Sequence, residues 1–215
     1  MKTLPPDADL VAALRGGDSD AFTAMLDTWS ASMLRLARSF VSTHASAEEV
    51  VQETWLAVVK GLDAFEGRSA FKTWVYRILV NTAKKRGLQE RRSIPWTSLL
   101  PPDEDHGPTV DPARFQGPDG AYPGHWRETP AAWTSPENSA LNLEIRQVIT
   151  AVLDELPARQ RAVLNLRDVT DHTADEVCAM LQISAANQRV LLHRARAIVR
   201  ERLADYLAEE KGATT

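Results

Sequence analysis

A chain of 215 residues has room for one domain or two small ones, and 44% apolar with 25% charged residues is the balance of an ordinary globular protein. A large multidomain enzyme and a wholly disordered chain are excluded, and no apolar run is long enough to span a bilayer. The net charge of −4 would argue against a nucleic-acid partner only if it were spread evenly.

It is not spread evenly. Residues 1–94 hold 13 basic and 11 acidic side chains, residues 95–140 hold 2 and 7, and residues 141–215 hold 10 and 11, so the deficit sits in the middle. Apolar residues recur at helical spacing from Asp7 to about Phe40, and Gly16-Gly17 divides this stretch into a short helix and a long one. Ser46-Ala47-Glu48-Glu49 reads as a capping box opening the next helix, with Val50, Val51, Trp55, Val58, Val59 and Leu62 as its apolar band. After a turn at Gly67, a fourth helix is predicted from about Ser69 to Arg92, lined by Phe71, Trp74, Val75, Ile78 and Leu79. Residues 68–92 carry eight basic side chains against Glu90 alone.

Residues 95–136 contain nine of the 12 prolines and four glycines, which forbids both helix and central strand. This stretch reads as a flexible acidic linker, residues 95–138, although Trp96, Trp126 and Trp133 suit docking better than a solvated tether. Beyond it Leu141, Ile145, Val148, Ile149 and Val152 mark a helix reaching Leu156, and Pro157 starts the next. Thr173-Ala174-Asp175-Glu176 is a second capping box, opening a short helix. Gln182-Ile183-Ser184 then leads into a long basic helix from Ala185 to about Leu207. Short helix, three-residue turn and long basic helix make a helix-turn-helix, whose second helix enters the major groove of DNA. The fold class expected is therefore all-α: two small helical domains, residues 1–94 and 139–215, joined by the Pro/Gly-rich linker.

Cys178 is the only cysteine and reads as a small buried apolar residue, while the five histidines lack ligand spacing. No cofactor and no metal are expected. Neither a phosphate-binding glycine loop nor paired catalytic carboxylates occur, so no catalytic residues are assigned and the chain is not expected to be an enzyme. The N-terminus lacks the apolar core of a secretory signal, which points to the cytoplasm rather than a membrane. Two basic surfaces on a net acidic chain suit a protein that touches a polyanion at two places, and a helix-turn-helix repressor whose N-terminal bundle dimerises or holds a ligand is one such binding function.

The motifs favour another. Ala47-Glu48-Glu49-Val50-Val51-Gln52-Glu53-Thr54-Trp55-Leu56, the run from Phe65-Glu66-Gly67 to Asn81, Leu156-Pro157-Ala158-Arg159-Gln160-Arg161, and His193-Arg194-Ala195-Arg196 stand in order on both sides of the linker. Together they resemble the extracytoplasmic-function sigma factors, the small two-domain members of the bacterial RNA polymerase sigma family. The resemblance implies that the first motif docks on the coiled coil of the largest subunit of core RNA polymerase, through Glu48, Glu49, Gln52, Glu53 and Trp55. It implies that the second holds melted minus-10 DNA, through Arg68, Lys72, Arg77, Asn81, Lys84, Lys85 and Arg86. The C-terminal domain would read the minus-35 duplex beside the polymerase flap, with Ser184, Asn187, Gln188, Arg189, Leu191, Arg194 and Arg196 as the candidates. Asn187 and Gln188 have amides able to pair with adenine, and Leu191 is either buried or set against a thymine methyl. This helix departs from the usual pattern, with Gln188 where relatives place a valine. A cognate anti-sigma factor is the regulator the resemblance implies.

Overall fold

The structure is a computed structural model that describes residues 4–90 and 148–213. The proline-rich linker with its tryptophans, and the first residues of the helix expected from Leu141, lie outside the described residues. Everything regular among the described residues is helical.

Helix α1 spans Asp7–Arg15 and α2 spans Ser19–Ala37. The break between them falls at the glycine pair, where Gly17 adopts φ +76°, and the Asp18 carboxylate caps α2 by accepting the amides of Asp20 and Ala21 at 2.9 and 3.0 Å. Helix α3, His44–Gly61, starts earlier than the capping box at Ser46 suggests. Thr43 is the cap, its hydroxyl accepting the Ser46 amide at 3.0 Å, so Ser46 belongs to the first turn. A single 3-10 turn, Leu62–Ala64, leads towards α4, Phe71–Glu90. The start of α4 is held from a distance: the Asp7 carboxylate on α1 accepts the Phe71 amide at 2.7 Å.

These helices close on one core of Met25, Met33 and Leu36 from α2, Val50 and Val58 from α3, and Phe71, Val75, Tyr76 and Leu79 from α4. Tyr76 is fully buried, and burial pushes its phenol up to about 12 although its hydroxyl meets that of Ser32 at 2.6 Å. Gly87 is buried where α4 passes the end of α2, and a methyl group there would overlap the carbonyl oxygen of Phe40.

The end of α4 is tied down by Glu90. Burial alone would raise this carboxyl, but the hydroxyls of Ser46 and Ser42, the Ser42 amide and Arg86 bring it to about 2. The Ser42 amide and hydroxyl lie 2.9 and 2.8 Å from one carboxylate oxygen, and Arg86 lies 3.4 Å from the other. Because folding depresses this group, its contribution to stability is present above the ordinary carboxylate range and is lost as pH falls towards 2. The stability difference between native protein and Glu90→Gln, measured by denaturant unfolding, is therefore expected to be larger at pH 7 than at pH 3. An equal difference at both would show that the carboxylate charge does not act here.

The C-terminal unit begins with helix α5, residues 148–155, followed by α6, Ala158–Leu164, which widens into a π turn over Asn165–Val169. Helix α7, Ala174–Leu181, opens on the capping box expected from sequence: Thr173 accepts the Glu176 amide, and Glu176 accepts the Thr173 amide at 2.8 Å. Gln182 leaves α7 in the left-handed region at φ 60°, and the Ser184 hydroxyl caps α8, Ala185–Ala213, by accepting the Asn187 amide at 3.1 Å. The predicted helix-turn-helix is present. Val163, Leu166, Val177, Met180, Leu192 and Ala195 form its interior, in one cluster with the N-terminal core. Cys178 is half-buried rather than buried.

Candidate nucleic-acid and partner interfaces

The basic residues of α4 point in three directions. Arg77, Asn81 and Lys85 are exposed at four-residue spacing and form one stripe, with Arg68 exposed before the helix and 3.0 Å from Glu66. Arg86 turns to the other side, where it binds the Glu49 carboxylate of α3 as well as Glu90. Lys72 and Lys84 are half-buried under the C-terminal unit. Lys72 donates to the Thr170 carbonyl at 2.7 Å, and Lys84 to the carbonyls of Met180 and Leu181 at 3.0 and 3.2 Å. Burial lowers the Lys84 ammonium from its ordinary value.

On α3, Glu48, Glu49, Gln52 and Glu53 are exposed, as docking requires. Glu48 lies 3.5 Å from His44, and Glu49 is held by Arg86, which leaves Gln52 and Glu53 as the more outward pair. Trp55 does not share this surface: it is 8% exposed and meets Phe22 edge to face at 6.2 Å. Leu56 and Val59, 60% and 55% exposed, stand there instead. A search among acidic residues passes over them, although their place beside Glu53 on the outer face follows from helical spacing once Val51, Trp55 and Val58 are set inside.

On α8, Gln188, Leu192 and Ala195 make the buried stripe, so Gln188, at 2% exposure, cannot present its amide to a base. Leu191 is half-buried over the groove lined by Phe40, Val163 and Ile183. Ser184 serves as the cap, Asn187 and Arg194 are half-buried, and Arg196 grips Asp168 at 2.6 and 2.8 Å, which raises its guanidinium further. The outward face consists of Ala186, Arg189, Val190 and His193, of which only Arg189 was expected from sequence. Val190 is 46% exposed. Counting outward from Leu192 and Ala195 would have found it.

Two helical units, an acidic α3, a basic α4 and a helix-turn-helix can together hold a protein partner and two stretches of DNA. The Sigma-70 region 2 model matches residues 25–93 and the Sigma-70 region 4 model matches residues 146–199. The RNA polymerase sigma-H factor of Pseudomonas aeruginosa is 30% identical over 97% of this chain and 100% of its own length. The chain belongs to the extracytoplasmic-function group of the sigma-70 family. The ECF RNA polymerase sigma-E factor of Escherichia coli K12 is 29% identical over 88% of the chain and 90% of that protein.

Among solved structures, CnrH in complex with the cytosolic domain of CnrY matches with a TM-score of 0.51 at 21% identity, over 93% of this chain and 97% of that one. The sigma factor RpoE in complex with the anti-sigma factor NepR from Bartonella quintana matches with 0.50 at 22%, over 85% and 96%. Both share its fold. This sigma factor is accordingly a promoter-recognising regulator of transcription initiation, and the repressor reading is not favoured. No helix among its described residues is long and apolar enough to cross a membrane.

Proposed function

We propose that region 2, residues 1–94, docks on core RNA polymerase and holds melted minus-10 DNA, while region 4, residues 139–215, reads the minus-35 duplex across a linker of residues 95–138. The observation that carries this reading is the order of surfaces along one chain: outward Gln52, Glu53, Leu56 and Val59 on α3, the Arg77-Asn81-Lys85 stripe on α4, and Arg189 with Val190 on α8. An apolar pair beside exposed carboxylates suits a basic protein partner. A spaced run of cation, amide and cation suits an unstacked strand, where the cations meet phosphates and Asn81 meets a base edge. The work is binding and positioning, without turnover, in the cytoplasm, and a cognate anti-sigma factor is the regulator we assign. Core polymerase with this chain, tested on genomic fragments by run-off transcription, is expected to start at a restricted set of promoters; no starts above core enzyme alone would reject the reading.

Within region 4 the minus-35 contacts pass from Gln188 and Leu191 to Arg189 and Val190. Arg189 meets phosphate or guanine, and the Val190 methyls suit a thymine methyl. Arg189→Ala is expected to weaken duplex binding of the holoenzyme about tenfold, in line with one good polar contact to DNA. Gln188→Leu is expected to leave that affinity within about twofold and to raise the thermal midpoint, because the buried Nε2 of Gln188 has no hydrogen-bond partner. Loss of binding in Gln188→Leu with a native melting curve would return the reading role to the glutamine.

A further inference from the structure

Helix α1 reaches the connection between α3 and α4 from both of its ends. At its C-terminal end Arg15 Nη2 lies 2.7 Å from the carbonyl oxygen of Phe65, 3.1 Å from that of Leu62 and 3.4 Å from that of Asp63. A guanidinium offers donors only and keeps its charge, so carbonyl oxygens are what it can bind here, and such bonds are stronger than neutral ones. At its N-terminal end the Asp7 carboxylate accepts the amide of Phe71, the first residue of α4. That amide has no partner within its own helix, and a carboxylate suits the positive end of the helix dipole. Ser69 does not supply the cap, since its hydroxyl donates to the Ala70 carbonyl at 3.4 Å. Helix α1 is itself anchored apart from these bonds, by Leu10 and Val11 at 1% and 6% exposure. The Arg15 bonds can therefore be lost without undocking the helix.

Between the two contacts stands the tip of the loop. Glu66, Gly67 and Arg68 are exposed, Gly67 turns the chain at φ +72°, and Arg68 pairs with Glu66. Behind the tip the Phe65 ring meets the Trp74 ring at 5.2 Å between centroids. Trp74 and Ala70 lie where helical spacing carries the line of Arg77, Asn81 and Lys85 back towards the start of α4. The tip is thus the continuation of the exposed stripe. We infer that Arg15 and Asp7 are positioning residues for strand opening: α1 grips the connection at Phe65 and at Phe71, and so holds Arg68 in line with the stripe that receives the minus-10 strand. The inference rests on the reading of α4 as the strand-holding helix. Misplacing a positioned group by about 1 Å can cost up to about a hundredfold in rate, and a loop freed at one of its two ends falls within that range.

Holoenzyme assembled from core polymerase and the full chain tests this on a promoter obtained by run-off transcription. Permanganate oxidation of unpaired thymines reads the rate of strand opening, anisotropy of labelled promoter in the cold reads binding before opening, and calorimetry reads the thermal midpoint of the chain. Arg15→Met keeps the apolar stem and removes the donors. It is expected to slow opening about tenfold while polymerase affinity, initial promoter binding and midpoint stay near native. Arg68→Ala is expected to slow opening several-fold by itself, and Arg15→Met added to it to cost less than about threefold more, because residues that act through one another are not additive. Native opening in either single variant, full multiplication of the two losses in the double variant, or a fall in midpoint and polymerase affinity that matches the loss of opening would overturn the inference. Native opening in Arg77→Ala, Asn81→Ala and Lys85→Ala as well would instead remove the strand-holding reading, and the positioning role with it.

Discussion

Replacing Leu56 and Val59 together by alanine is expected to lower the affinity of the chain for core RNA polymerase by about 30-fold, with no loss of thermal stability. The two side chains are 60% and 55% exposed on α3, so the folded protein gains little from them in the free state. Covered by a partner, each is worth on the order of 1 to 2 kcal/mol, and a combined loss of about 2 kcal/mol is 30-fold. The neighbouring carboxylates behave differently. Glu53 is exposed, and its reversal to lysine should slow association several-fold in a manner that high salt erases, as charges at an interface rim do. Reversal of Glu49 is a poor probe, since it also breaks the pair with Arg86 that joins α3 to α4. Equilibrium titration of labelled core enzyme with each variant, alongside its melting curve, separates these cases. Native affinity for the alanine pair would place the docking face elsewhere on region 2.

What the sequence made legible was local. The break at Gly16-Gly17, the Thr173 capping box and the three-residue turn before Ala185 depend on residues within a few positions of each other, and helix order and the helix-turn-helix followed from them. The start of α3 was misplaced because Thr43 and Ser46 are both competent caps, and only the extended backbone at Thr43, φ −123° and ψ 158°, separates them. Helical spacing sets Trp55 in the apolar band of α3 while the family resemblance counts it among the docking residues, and Gln188 joins the minus-35 candidates for its amide. Their direction is set by what lies opposite: Phe22 for the indole, and the interior of the C-terminal unit for the amide, which lies in the same stripe as Leu192 and Ala195. The contact of α4 with the C-terminal unit could not be read at all. Most of its acceptors are backbone carbonyls, of Thr170, Met180 and Leu181, and any residue type supplies a carbonyl.

Gly87→Ala illustrates the same gap with opposite signs. Judged on α4 alone, the change removes a glycine from a helix interior and should stabilise by up to about 1 kcal/mol. In the folded chain the added methyl would overlap the carbonyl oxygen of Phe40. A backbone oxygen at the end of α2 cannot swing aside as a side chain would, because Phe40 is itself 3% exposed and Ser42, two residues on, is bound to Glu90. Relief requires α4 to move away from α2, which costs on the order of 1 to 3 kcal/mol in a well-packed core and occasionally more. The steric cost therefore outweighs the helix preference, and the thermal midpoint is expected to fall by about 5 to 15 °C, at 4 to 8 °C per kcal/mol for a unit of this size. The movement would also strain the Glu90 bonds to Ser42, so the variant should lose part of the difference in stability between pH 7 and pH 3 that Glu90 provides. A higher midpoint than the native protein's, measured by calorimetry, would mean that α2 and α4 stand further apart at this point and that helix propensity alone governs the position.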